Sequence, residues 1–103
     1  MPYIISYLWF PPHLSDTAAE RYLKTIQKYP LIPSIKRLIP AAISSDREGI
    51  EVLVIDEVKR KDLGEALEYT GKFIVEFRNI KGLRYQTKTV NTLSEAMGLV
   101  GKG

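Results

Sequence analysis

A single histidine, His13, stands between an aromatic run and the first amphipathic segment of the chain. In a loop of that kind a histidine can act as a general base near neutral pH, or simply be solvated. It is the one candidate catalytic side chain. Tyr3, Tyr7 and Trp9 recur at the two-residue spacing of a strand, with Ile5 between them on the same face. Such a row can wall a pocket for a flat apolar molecule or pack in a core or dimer interface. Tyr85, in the last strand-like run, can approach Tyr3 or Tyr7 across a ladder. The candidate ligand-binding set is therefore Tyr7, Trp9, His13 and Tyr85, with Trp9 or Tyr7 in the pocket wall and His13 at its mouth.

Other chemistries find little support. With no cysteine and one histidine, disulfides, thiolate catalysis and a zinc site of the usual kind are excluded. Asp56 and Glu57 are adjacent, so on a strand they point to opposite faces and cannot form a catalytic carboxylate pair. One turned inward would mark a site; the expectation is that both are solvated beside Lys59-Arg60-Lys61, itself a solvated basic cluster near a helix start. Gly64 and Gly71 lie seven apart inside a helical segment, a spacing that suits close packing of another element. They belong to no phosphate-cradling motif. No tightly held metal or organic cofactor is expected.

The elements that must position these residues follow from periodicity. Strands are read at Tyr3–Phe10, Ile35–Ile43, Ile50–Val58 and Leu83–Val90, and helices at Asp16–Tyr29 and Asp62–Ile80. Both faces of the first strand are apolar, as in a central strand covered on both sides. Ala19, Tyr22, Leu23 and Ile26, with Tyr29 at the end, form the apolar stripe of the first helix. Leu63, Leu67, Thr70, Ile74 and Phe77, flanked by Ala66, Phe73 and Ile80, form that of the second. Pro40 cannot donate to a ladder, which assigns the second strand to an edge. Ser45–Gly49 is a polar hairpin loop. Thr17-x-x-Glu20 and Thr92-x-x-Glu95 have capping-box spacing, and the second opens a short helix with Leu93, Ala96, Met97 and Val100 inward. The tail Gly101-Lys102-Gly103 should fray.

The order strand, helix, strand, strand, helix, strand makes two split β-α-β units. It predicts a ferredoxin-like βαββαβ sandwich with antiparallel sheet order 4-1-3-2 and both long helices on one face. The 103 residues form one domain, 1–103. Apolar residues at 45% and charged residues at 26% suit a soluble globular protein. No apolar run approaches the roughly 20 residues of a spanning helix. The N-terminal stretch lacks a basic region ahead of its apolar residues, so it reads as a strand rather than a signal peptide, and a cytoplasmic location is expected. The net charge of +3 is spread along the chain, unlike the basic stripe of a nucleic-acid binder.

The aromatic first strand, the two amphipathic helices, the strand Gly82-Leu83-Arg84-Tyr85-Gln86 and the closing Asn91-Thr92-Leu93-Ser94-Glu95-Ala96-Met97 together resemble the dimeric α+β barrel superfamily. Its members include antibiotic-biosynthesis-type monooxygenases, small ligand-sensing domains and proteins of unknown function. The resemblance implies a homodimer whose sheets face each other, with a pocket between sheet and helices in each subunit. The chain lacks the helix-turn-helix of the sensing members and matches no catalytic signature of the enzymes, so no residue role carries over. The functional expectation is a homodimer that binds a small, largely apolar or aromatic molecule between sheet and helices. The alternative is a cofactor-independent monooxygenase or isomerase acting on an aromatic substrate.

Overall fold

The computed structural model describes residues 1–99. The expected fraying of the tail and the inward Val100 lie outside the described residues. The elements are β1 (Tyr3–Phe10), α1 (Ser15–Lys28), β2 (Ile35–Asp46), β3 (Gly49–Val58), α2 (Leu63–Val75), β4 (Arg84–Val90) and α3 (Leu93–Leu99). The sheet runs β2-β3-β1-β4 with every pair antiparallel. Read from the other edge, this is the expected 4-1-3-2. None of the described helices is long and apolar enough to cross a membrane.

Alternation along β1 decides which side is core. Ile4, Ser6, Leu8 and Phe10 are buried, whereas Tyr3, Ile5, Tyr7 and Trp9 are only half-buried. The helices cover the first set. Ile4, Ile35 and Val58 pack with Ala66 and Tyr69 of α2, and Leu8 packs with Ile74, Phe77 and Ile80. Phe77 is 1% exposed, and burying a side chain of that size contributes about 1.5–3 kcal/mol.

Pro40 is on an edge strand, and the pairing of β2 with β3 slips between Arg37 and Ile39 and again between Ile39 and Ala42. The second irregularity contains the proline, whose missing N–H would otherwise leave a gap in the ladder. The β2–β3 connection is tighter than a five-residue loop. Asp46 pairs with Gly49 across a two-residue turn, with the Glu48 N–H donating to Asp46 Oδ1 at 2.8 Å. Gly49 has φ of 133°, and a Cβ there would lie 2.7 Å from the Phe10 carbonyl oxygen. Only glycine fits that turn.

Three readings from periodicity are corrected. The α2 helix stops at Val75 rather than Ile80, and a run of turns whose N–H groups donate to the carbonyl three residues back carries Phe77 and Ile80 into the core. Arg21 of α1 donates to the Glu76 carbonyl and, at 2.5 Å, to Asn79 Oδ1, which secures that end. Gly64 and Gly71 border open space, with no neighbouring atom within 4 Å of where a Cβ would stand, so no other element packs closely on them. Leu93 is 78% exposed and Met97 40% exposed, so α3 does not turn them inward. Its capping box does form, with Glu95 N–H donating to Thr92 Oγ1 at 3.2 Å and Thr92 N–H to Glu95 Oε1 at 3.0 Å.

Candidate functional site

The helix-covered side of the sheet holds an internal polar cluster. Asp56 of β3 is 1% exposed and accepts two hydrogen bonds from Arg37 of β2, from Nε at 2.8 Å and from Nη2 at 3.0 Å. This side-on geometry is the strong form of an arginine–carboxylate pair. Burial opposes the Arg37 charge, but hydrogen bonding to Asp56 and the carboxylate's charge outweigh it, and the guanidinium is held above its ordinary value. The expectation that Asp56 is solvated is overturned. Its even-numbered place on β3 turns it towards the helices, where Arg37 of the neighbouring strand balances its charge.

Around the pair lies a cavity of about 40 Å³ bounded by Ser6, Leu8, Tyr22, Val54, Tyr69, Thr70 and Phe73, among others. Burial pushes the Tyr69 hydroxyl up, against the pull of Arg37. It stays protonated at neutral pH and donates to the Tyr29 carbonyl at 2.8 Å. The Thr70 hydroxyl has no partner among the described residues, although the residue is only 6% exposed. Buried hydroxyls are normally paired.

A second, larger hollow adjoins the first. A groove of about 530 Å³ runs between α1 and the β2–β3 half of the sheet, and Leu8, Tyr22 and Val52 line both spaces. Its walls are almost wholly apolar: Phe10, Ala18, Ala19, Leu23, Ala41, Ile43 and Ile50 complete most of them. The register of α1 creates it. The helix buries Ala18 and Thr25, with Tyr22 and Tyr29 on the same row, and leaves Leu23 57% exposed. Of the stripe expected in the core, Tyr22 packs against it, whereas Ala19, Leu23 and Ile26 lie at its margin. Ile43 on the facing strand is 71% exposed.

The residues singled out in the sequence are distributed over three places. Tyr7 and Trp9 lie on the sheet face opposite the helices, stacked with ring centroids 5.3 Å apart and planes 4° apart. Arg84 and Lys88 of β4 sit over the Trp9 and Tyr7 rings at 5.8 and 5.7 Å. Tyr85 pairs with Leu8 rather than Tyr7, which puts it on the helix side; a one-residue offset along a strand reverses the face. His13 is exposed in the 3-10 turn Pro12–Leu14. Trp9 does border a hollow, of about 330 Å³, but with Arg84, Glu51, Asp46 and Glu48 rather than with His13 or Tyr85. Lys59, Arg60 and Lys61 are exposed. Among the described residues, no group of three or more potential ligands could hold a metal ion.

Sequence reasoning missed Arg37, Tyr69 and Tyr22 as parts of one site. The available signal was charge inside apolar strands: Arg37 in an edge strand and Asp56 in a central one. Pairing them required the register.

No protein-family model and no curated protein matches the sequence. Solved structures match the backbone. A candidate antibiotic biosynthesis monooxygenase from Deinococcus radiodurans gives a TM-score of 0.59 at 10% identity, over 89% of this chain and 92% of that one. Rv0793 from Mycobacterium tuberculosis gives 0.56 at 11% identity, over 90% and 96%. The de novo designed protein Foldit4 also gives 0.56, at 10% identity over 89% and 99%. A designed backbone matches as well as natural ones, so the likeness measures fold and carries no activity with it. The chain has the ferredoxin-like α+β fold that these structures share.

Proposed function

We propose that the protein is a homodimeric binding protein that holds a small, largely apolar or aromatic molecule in the groove between α1 and the sheet. The carrying observation is the groove itself. Its volume of about 530 Å³ and its nearly all-apolar wall, ending at a few polar groups behind Tyr22, match the general form of small-molecule sites. Exposed Leu23 and Ile43 at its rim gain burial when a ligand fills it. The half-buried aromatic face around Tyr7 and Trp9 serves self-association rather than the ligand.

A second reading, a cofactor-independent monooxygenase or isomerase, draws on the Tyr22 and Tyr69 side chains and the Arg37–Asp56 pair at the inner end. It is separated from simple binding by oxygen uptake or product formation with any molecule that binds.

The test is titration calorimetry with a panel of one- and two-ring aromatic compounds. Ala19 is exposed and lines the groove, so Ala19→Trp should fill the space without disturbing the core. Binding by the wild type and its loss in Ala19→Trp are expected, with His13→Ala unaffected because His13 lies outside the groove. Equal binding by Ala19→Trp would refute the assignment.

A further inference from the structure

The cavity behind Tyr22 is too small for a ring but large enough for one polar group. Its volume is about 40 Å³, where a water-sized group needs about 10–15 Å³. A ring lying in the groove against Leu8, Tyr22 and Val52 could place one substituent there, since these three residues line both spaces.

Three features define what that substituent meets. The Thr70 side chain lines the cavity, and its hydroxyl, nine-tenths buried and unpartnered among the described residues, can donate or accept once a turn about χ1 brings it to a head group. The Arg37 guanidinium commits Nε and Nη2 to Asp56, and a guanidinium has five N–H donors in all. The Arg37 charge is already balanced by Asp56 at 2.8 Å. The inner end therefore offers hydrogen bonds without net charge.

We infer that the site selects molecules bearing a neutral hydrogen-bonding head group, a hydroxyl or carbonyl, over otherwise identical carboxylates. This rests on the groove being the binding site. A carboxylate head would add a negative charge beside the buried Asp56 carboxylate, while Arg37, among the described residues the one basic side chain lining the cavity, is already paired, and buried unbalanced charge is strongly disfavoured. A molecule with no head group leaves the Thr70 hydroxyl unpaired and loses the discrimination that a buried polar partner gives.

The experiment compares 2-naphthol, naphthalene and 2-naphthoate by calorimetry with the full chain near neutral pH, where the naphthol is neutral and the naphthoate ionised. The expected order is 2-naphthol tightest, by about tenfold over naphthalene, roughly one good hydrogen bond, with 2-naphthoate weakest. In Thr70→Val the naphthol-to-naphthalene affinity ratio should fall towards one, and in Thr70→Ser, which keeps the hydroxyl, it should be retained. Tightest binding of 2-naphthoate, or an undiminished ratio in Thr70→Val, would overturn the head-group assignment while leaving the groove reading intact. Equal binding of all three would do the same. Failure of all three to bind would overturn the groove reading, and this inference with it.

Discussion

At the scale of single residues, the Arg37–Asp56 pair is the most consequential feature. Asp56 is 1% exposed and Arg37's side chain 19%. Removing one member of a buried pair strands the other, at a typical cost of about 3–5 kcal/mol. Because Arg37 keeps some contact with solvent, Arg37→Met is expected to cost about 3 kcal/mol, read as a lowered urea midpoint. The double variant Arg37→Met/Asp56→Leu removes both charges and should recover most of that loss, since well-packed apolar replacements of buried pairs are often neutral. If the double variant were as unstable as the single one, the pair would be contributing net stability rather than restraining a site. Local sequence holds no means to pair these two residues. It shows an arginine and an aspartate in apolar strands 19 positions apart. The expected sheet order already makes their strands neighbours, but the register that sets Arg37 opposite Asp56 depends on hydrogen bonding that no local pattern records.

At the scale of elements, alternation and helical spacing located all four strands and both long helices, because each must bury one face. Pro40 identified the edge strand for a similar local reason. What spacing could not supply was rotation and length. The apolar residues of α1 span an arc wider than the sheet covers, and the choice of the Ala18–Tyr22–Thr25 row over the Ala19–Leu23–Ile26 row decides whether a groove exists. Likewise, the end of α2 at Val75 is secured by Arg21 on another helix. Two predictions belong here. Gly71 is mid-helix with open space around it, so Gly71→Ala should raise stability by about 0.5–1 kcal/mol by restricting the unfolded chain. A drop in melting temperature would show that the helix surface is contacted there. The second concerns α3. The Glu95 carboxyl lies below its ordinary 4.5, first because it accepts from the Thr92 N–H and despite some desolvation. A depressed carboxyl contributes stability in full above its unfolded value and loses it as pH falls through the folded value. The Thr92–Glu95 cap should therefore hold at neutral pH and weaken below about 4.5. Amide exchange at Thr92 and Glu95 should accelerate there in the wild type but be pH-insensitive, beyond intrinsic chemistry, in Glu95→Gln. Equal behaviour of the two would remove the carboxylate from the cap.

At the scale of the whole molecule, neither long helix covers the second face of the sheet. Its centre is Tyr3, Ile5, Tyr7 and Trp9, with Leu53 opposite Tyr7 and Ile55 opposite Ile5. An apolar patch of this kind is seldom left in water, and a second copy of the same face can cover it with two-fold symmetry. The charges bordering it restrict how. On the β3 flank stand Glu51 and Glu57, opposite Trp9 and Tyr3. On the β4 flank stand Arg84 and Lys88, opposite Trp9 and Ile5. A two-fold axis parallel to the strands lays the basic flank of each subunit over the acidic flank of the other and preserves level along the strand. Arg84 then meets Glu51, since both are level with Trp9. An axis across the strands would instead set like charges against each other. Sheets packed with nearly aligned strands are a common solution. The expected outcome is a dimer by light scattering at micromolar concentration. Arg84→Glu should weaken it by opposing Glu51, and Arg84→Glu/Glu51→Arg should restore it, because the exchange keeps the charges complementary while leaving the aromatic row untouched. The dissociating effect of Arg84→Glu should shrink at high salt. A wild type that stays monomeric would refute self-association through this face, and a dimer indifferent to both variants would place the contact elsewhere.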